Sequence, residues 1–133
     1  MATIHLTASA ETWWQHAHQD LAAANHLLQG DFARHAVVLA HLAVEKALKA
    51  TYRHQHTRTP PASHDVAYLA EQIDWPDGPD SHDRAVMLDA LNVRGVVALY
   101  PDQPFGPGVP NNIAEARARV SDAHTLLRIL EAA

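Results

Sequence analysis

Residues 31–53 read DFARHAVVLAHLAVEKALKATYR, and this stretch decides the fold. It carries five alanines that are spaced alternately by four and three residues: Ala36, Ala40, Ala43, Ala47 and Ala50. Because residues three and four apart lie on the same side of an α-helix, these small side chains form one stripe. The stripe predicts a helix against which another helix packs at short range.

The prolines divide the remainder of the chain. All eight fall into three clusters, and a proline inside a helix costs about 3 kcal/mol. The proline-free spans therefore predict four main helices and one short one, arranged as an all-α, up-and-down antiparallel helical bundle. No stretch alternates as a half-buried strand does. The length of 133 residues favours one domain over residues 1–133.

Capping residues predict the first helix boundaries. Ser9 is expected to cap the first helix and Gly30 to end it. The alanine-striped second helix then opens at Asp31 and runs to about Tyr52–His56, so that the two helices form an antiparallel hairpin.

The same signals extend to the later helices. Ser63 predicts a short third helix over residues 64–73, and Ser81 a fourth one. The fourth helix must end by Tyr100, because a residue before proline is pushed out of helical geometry. The loop Pro101–Pro110 is long for a small domain. Asn112 is expected to form a reciprocal cap with Glu115 at the start of the last helix.

Composition excludes several classes of function. The chain has no cysteine, which rules out disulfides and thiolate metal sites and fits a reducing compartment. No apolar run approaches the roughly 18 residues of a membrane span. The formal charge of −5 argues against indiscriminate binding of nucleic acid. We expect a cytoplasmic protein with no membrane contact and no cofactor.

Several pieces in order resemble the HEPN domain family over roughly residues 10–132. They are LLQGDFA at the first turn, AVEKALKA in the second helix, SHDVAYLAEQI after the first prolines, and LNVRGVVALYPD before the long loop. The resemblance implies an up-and-down helical bundle, usually a homodimer. It also implies a minimal nucleotidyltransferase as a partner, with which such a domain often forms a toxin–antitoxin pair.

Active members of that family are metal-independent ribonucleases in which four to six residues separate an arginine from a histidine that follows it. Arg94 occupies the arginine position here, but the residues at that spacing are Leu99, Tyr100 and Pro101. RNA cleavage without a metal needs a group that moves a proton near neutral pH and a fixed cation for the phosphate charge. Arg94 supplies only the cation. Tyr100 is a poor base, although it can donate a hydrogen bond or stack on a nucleotide base.

Arginine–histidine pairs with similar spacing occur elsewhere, at Arg34/His41, Arg58/His64, Arg117/His124 and Arg119/His124. Roughly two are expected by chance in a chain with this many arginines and histidines, so the pairs indicate little.

Histidine pairs give no metal signal. His16 and His18 lie about 200° apart on a helix and cannot share one metal ion. The pair His54/His56 lacks the carboxylate spacing of a dedicated site, so no metal is expected.

Lys46, Lys49 and Arg53 give the second helix a basic end. This end is either a solvated face that suits a helix C-terminus or a surface that contacts phosphate groups. Glu45 adjoins the alanine stripe and is either an interior polar group that orients a partner such as Arg94 or half of a surface pair with Lys49.

The leading hypothesis is a HEPN-like module that binds nucleotide, RNA or a nucleotidyltransferase and has a degenerate ribonuclease motif. In a homodimer, two copies of Arg94 and Tyr100 could line one groove. One alternative is a divergent metal-independent ribonuclease toxin that uses Arg94 with Tyr100 or with a nearby histidine such as His64. The other alternative is a purely structural bundle.

Overall fold

The computed structural model describes residues 8–76, 81–92 and 112–133, and every regular element within these ranges is a helix. The helices are α1 (Ala10–Gln29), α2 (Ala33–His56), α3 (Val66–Glu71), α4 (Ser81–Leu91) and α5 (Ile113–Leu130). The predicted all-α bundle of four main helices and one short helix is confirmed. Helix α4 ends at Leu91, before the predicted limit of Tyr100, and the Pro101–Pro110 loop lies outside the described residues.

Helix α1 begins and ends where the capping residues predicted. The Ser9 hydroxyl accepts a hydrogen bond from the Thr12 backbone N–H at 3.1 Å. At the other end, the Gly30 backbone N–H donates to the Leu27 carbonyl at 3.2 Å. Both bonds satisfy backbone groups that a helix terminus leaves without an internal partner.

Helix α2 begins two residues later than predicted. Asp31 has a φ of 62°, in the left-handed region, which a right-handed helix cannot contain. A hydrogen bond of 2.9 Å from the Phe32 N–H to the Leu27 carbonyl closes the turn. The prediction that α2 opens at Asp31 is therefore wrong, whereas its end at His56 falls within the predicted range.

Helix α3 is shorter than predicted, and its cap is Asp65 rather than Ser63. The Asp65 carboxylate accepts hydrogen bonds from the backbone N–H groups of Ala67 and Tyr68 at 3.0 and 3.2 Å. The Ser63 hydroxyl instead accepts from the Asp65 N–H at 3.1 Å. His64 consequently precedes the helix, and this position matters for the site described below.

Helix α5 has the predicted N-cap. The Asn112 side-chain oxygen accepts hydrogen bonds from the N–H groups of Ala114 and Glu115 at 2.9 and 3.2 Å. The Glu115 carboxylate contacts Arg119 at 3.2 Å, one turn further along the helix. Asn112 therefore caps the helix as predicted, while the Glu115 side chain forms an ion pair within it.

Cross-helix contacts define the directions of the main helices. Lys46 of α2 pairs with Asp20 of α1 at 2.7 Å, and Lys49, further along α2, contacts the earlier Trp13, so these helices form the predicted antiparallel hairpin. Helix α5 also runs antiparallel to α1, because Asn25 contacts His124 at 2.7 Å and His18 contacts Glu131 at 3.4 Å. Helices α2 and α5 therefore run in the same direction, and α5 packs against both α2 and α1.

The alanine stripe of α2 is buried over its whole length. Ala36, Ala40, Ala43 and Ala47 have no exposed surface, and Ala50 is 5% exposed. On α1, Ala17 and Ala24 are likewise fully buried, as is Ala123 on α5. Small side chains on the three helices allow their backbones to approach closely, as the sequence pattern predicted.

One cluster of buried apolar side chains includes residues of all five helices. Within the described ranges, no helix is both long enough and apolar enough to cross a bilayer. A single domain over residues 1–133 and a cytoplasmic location remain predictions.

Replacing a stripe alanine should destabilise the fold. We expect Ala43→Leu to lower the free energy of unfolding by about 1–3 kcal/mol, because a larger side chain does not fit a fully packed interior. Ala23→Leu is the matched control, since Ala23 is an exposed alanine within α1. Urea unfolding of both variants measures the difference, and equal stabilities would show that the stripe is not tightly packed.

Candidate functional site

A buried carboxylate on α2 lies at the centre of a cluster of polar side chains. Glu45 is 3% exposed. Its Oε1 accepts a hydrogen bond from His64 Nδ1 at 3.0 Å, and its Oε2 accepts one from Lys49 Nζ at 3.2 Å. Both oxygens are therefore occupied by nitrogen donors, which a carboxylate withdrawn from water requires.

Lys49 supplies the compensating charge. Its side chain is 8% exposed, and Nζ lies 5.4 Å from the centre of the Trp13 ring. The ammonium is thus held between a carboxylate and an aromatic face, in a geometry suited to a cation–π contact. The pair between Glu45 and Lys49 exists as one alternative predicted, but it is buried rather than on the surface.

His64 is the exposed member of the cluster. Its side chain is 72% exposed, although its Nδ1 is tied to the buried Glu45. With Nδ1–H donating to the carboxylate, the neutral ring carries its lone pair on Nε2, at the solvent side. The contact fixes the orientation of the ring and leaves Nε2 for a ligand.

His41 is hydrogen-bonded to the backbone of His64. It is completely buried, and its Nε2 donates to the His64 carbonyl oxygen at 2.9 Å. Burial lowers the pKa of His41, against the opposing effect of the nearby Glu45 charge. The ring is therefore neutral near pH 7, and its Nδ1 is buried without a hydrogen-bond partner among the described residues.

A single helical register explains how α2 builds this cluster. His41, Glu45 and Lys49 are spaced by four residues, so they form a polar line along one side of the helix. The sequence prediction identified Glu45, Lys49 and His64 as candidates, whereas His41 appeared only in the pair Arg34/His41. The sequence feature that could have indicated His41 is its place as a polar residue four positions before Glu45 within an apolar segment.

The start of α3 is tied to the end of α4. The Asp65 carboxylate accepts a hydrogen bond from Asn92 Nδ2 at 2.8 Å, and Asn92 Oδ1 accepts one from the Val66 N–H at 3.3 Å. These hydrogen bonds hold Asp65, which follows His64, next to Asn92, which follows α4. Arg94 and Tyr100, the other predicted site residues, lie outside the described residues.

The remaining basic candidates have different surroundings. Lys46 pairs with Asp20 at 2.7 Å, and Lys49 is engaged inside the polar cluster. Arg53 is half-buried in the last turns of α2. Two of the three cations predicted to contact phosphate are thus held in internal ion pairs.

The predicted histidine pairs also have separate contacts. His18 lies 3.4 Å from Glu131, while His56 Nε2 donates to the Gln72 carbonyl at 2.9 Å. His54 lines a cavity of about 310 Å³ between the start of α1 and the ends of α2 and α5. Among the described residues, no three histidine or carboxylate side chains come together in a way that would hold a metal ion.

The fold and the buried carboxylate on the second helix define an all-α bundle domain with a polar cluster at its edge. The chain belongs to the HEPN domain family, whose model matches residues 10–133.

Two solved structures support the fold. TT1696 from Thermus thermophilus superimposes with a TM-score of 0.77 at 23% identity, and the match covers 92% of this chain and 96% of that one. ST0689, an archaeal HEPN homologue, superimposes with a TM-score of 0.71 at 20% identity and covers 94% and 97% of the two chains. No curated protein matches the chain.

Removing the buried carboxylate charge should be costly. We expect Glu45→Gln to lower the free energy of unfolding by about 3 kcal/mol, because it leaves the Lys49 ammonium buried without a counter-charge. The double variant Glu45→Gln/Lys49→Met should recover part of this loss. Glu131→Gln is the matched control, since its contact with His18 is about half exposed. Chemical denaturation of the four proteins measures the effect, and similar losses for Glu45→Gln and Glu131→Gln would contradict it.

His41 should make stability depend on pH. Because its pKa is lowered in the folded protein, the unfolded chain binds more protons just below the ordinary histidine value of 6.5. Stability should therefore fall as the pH falls from 7 to 5, with a slope from this group of at most about 1.4 kcal/mol per pH unit. We expect His41→Gln, but not the exposed His16→Gln, to reduce this slope. Urea unfolding between pH 5 and 8 is the measurement, and an unchanged slope in His41→Gln would contradict a neutral buried ring.

Proposed function

We propose that this HEPN domain binds the phosphate groups of RNA or of a nucleotide at a surface centred on His64, and that it lacks strong ribonuclease activity. The hydrogen bond between His64 Nδ1 and the buried Glu45 carboxylate carries this proposal. It joins an exposed imidazole to the rigid interior, and a pre-oriented polar group loses little conformational entropy when it binds a ligand.

Arg94 completes the proposed surface. It follows Asn92 by two residues, and Asn92 is hydrogen-bonded to Asp65, the neighbour of His64. A guanidinium binds phosphate through paired N–H groups. Tyr100 adds a hydroxyl donor and a ring on which a nucleotide base can stack. In this proposal Lys46 and Lys49 support the site from within the protein, and Arg53 extends it.

A divergent metal-independent ribonuclease is the second candidate. The observation in its favour is again the Glu45–His64 contact, because a carboxylate that orients an imidazole is a recurrent arrangement for proton transfer. His64 Nε2 would take the proton of the ribose 2′-hydroxyl, and the 2′-oxygen would attack the phosphorus. The 5′-oxygen would leave with a proton from the imidazolium, yielding a 2′,3′-cyclic phosphate and a 5′-hydroxyl, while Arg94 would stabilise the phosphate charge.

The family resemblance supports two associations as parts of the proposal: a homodimer, and a minimal nucleotidyltransferase as the partner in a toxin–antitoxin pair. A two-fold dimer would bring two copies of residues near its axis together, so the proposed surface would be doubled. Sedimentation equilibrium of the purified chain, alone and with such a nucleotidyltransferase, tests both associations.

Binding should depend on His64 and Arg94. We expect a labelled single-stranded RNA in EDTA to bind the wild type and to bind His64→Ala and Arg94→Ala roughly tenfold more weakly. Arg94→Ala should also reduce the salt dependence of binding by about one phosphate contact. Fluorescence polarisation against salt concentration measures both effects, with His16→Ala and Arg34→Ala as controls at positions outside the proposed surface.

Electrophoresis of the same RNA distinguishes RNA binding without cleavage from ribonuclease activity. Cleavage by the wild type that is lost in both His64→Ala and Arg94→Ala, with a 2′,3′-cyclic phosphate product, would establish the ribonuclease and overturn the binding-only proposal. The absence of binding, of cleavage and of a thermal shift with mono- and dinucleotides would favour a purely structural bundle.

A further inference from the structure

A groove runs between α3 and α4 on a part of the bundle that shares no residue with the His64 site. Its volume is about 450 Å³. Buried apolar side chains form its floor, namely Ala70, Ile73 and Leu88. Ala67 and Ala85 lie on its two walls, and their small size leaves the space between the helices open.

The ends and rim of the groove are polar. Trp75 lies at one end, with its Nε1 donating to the Ala70 carbonyl at 2.9 Å. The Arg84 guanidinium lies 4.3 Å from the centre of the Trp75 ring. Glu71 on α3 and Asp89 on α4 line the groove and are exposed. The groove therefore combines an apolar floor with carboxylates on both walls.

The chain segment that forms the groove is strongly acidic. Residues 65–92 contain seven of the fifteen aspartates and glutamates of the protein but only one of its ten lysines and arginines, Arg84. Five of these carboxylates belong to described residues, and all five are exposed: Asp65, Glu71, Asp74, Asp83 and Asp89. One arginine cannot neutralise them, and it already stacks on Trp75.

On the other helices, several carboxylates form ion pairs with lysine or arginine. Asp20 pairs with Lys46, Glu45 with Lys49, and Glu115 with Arg119. Outside residues 65–92, the chain carries nine lysines and arginines against eight aspartates and glutamates, so these charges are nearly balanced. The negative charge of the protein is thus concentrated in the segment that borders the groove.

Helices α3 and α4 also expose apolar side chains. Val86 on α4 is 53% exposed, and Tyr68 on α3 is 43% exposed. The apolar residues of α4 are therefore not confined to the face that packs on the core. Exposed apolar surface with a polar rim is characteristic of surfaces that bind other proteins.

We propose that this groove binds a lysine- or arginine-rich amphipathic segment of another protein. Apolar side chains of that segment would occupy the floor between Ala67 and Ala85, and its cations would pair with Glu71 and Asp89. Complementary charge identifies the class of partner, because an acidic rim attracts basic segments and repels nucleic acid. RNA bound at His64 would not compete for the groove.

A designed probe tests the charge and the location together. The probe is a fluorescein-labelled amphipathic helical peptide of leucine and lysine, about four turns long, with a leucine–glutamate peptide as the reverse-charge control. We expect fluorescence polarisation to show binding of the lysine peptide only. Glu71→Lys/Asp89→Lys should weaken it at least about tenfold. Glu11→Lys/Glu131→Lys changes the net charge equally at exposed positions elsewhere and should weaken it less than about threefold.

Two further measurements locate the site. Ala85→Trp fills one wall of the groove without a change of charge and should also weaken binding, while circular dichroism checks that each variant is folded. In NMR spectra of protein labelled at alanine methyl groups, the peptide should shift Ala67, Ala70 and Ala85 more than the buried Ala36 and Ala40.

Each other outcome contradicts the proposal. Equal weakening by both double charge reversals would mean that the peptide follows net charge. Absence of binding or of shifts at the groove alanines would exclude a basic segment at this site. A change of oligomeric mass in Glu71→Lys/Asp89→Lys would identify a second copy of the chain as the occupant instead.

RNA binding tests the two sites independently. We expect it to be lost in His64→Ala and kept in the groove variants.

Discussion

A carboxylate buried inside a helical bundle must be paired, and the pairing of Glu45 determines much of what surrounds it. Its two oxygens are satisfied by Lys49 from the same helix and by His64 from the segment before α3. Because an unpaired charge in the interior costs several kcal/mol, both donors are held in place. The position of His64, the shortened α3 and the contact of Asp65 with Asn92 are consistent with this single requirement.

Different sides of helix α2 contribute to the packing of the fold and to the polar cluster of the site. The alanine stripe permits close approach of neighbouring helices, while the line of His41, Glu45 and Lys49 provides polar groups one turn apart. Close helix packing limits the movement of the backbone that carries the polar line. The exposed imidazole of His64 is thereby attached to a helix whose alanine stripe is buried over its whole length.

The sequence predicted the architecture well, since alanine spacing, proline clusters and capping residues are local signals. The helix class, the caps at Ser9 and Asn112 and the hairpin are all confirmed. Asp31 was placed in the helix because Asp is a common start signal, but the left-handed turn at this residue depends on how Phe32 returns to α1. Ser63 and Asp65 are both good caps, and the contacts of His64 with α2 favour the second.

The site was predicted only in part. Glu45 was recognised as an interior polar residue, yet its partner His64 lies 19 positions away, and no local pattern encodes that distance. His41 was not recognised as part of the site, although it lies four positions before Glu45, because the sequence alone does not show that the His64 backbone lies beside it. The acidic character of residues 65–92 was present in the composition, but only the packing of α3 against α4 gives it a groove.

The short turn between α1 and α2 has a consequence for the order of folding. Contacts beside this turn, such as the one between Leu27 and Phe32, join residues that are close along the chain, so their loop-closure entropy is small and they can form early. The Glu45–Lys49 pair belongs to one helix and can assemble with the hairpin. His64 joins the pair only when the chain after α2 folds back, so the exposed part of the site requires the closure of a loop of 19 residues.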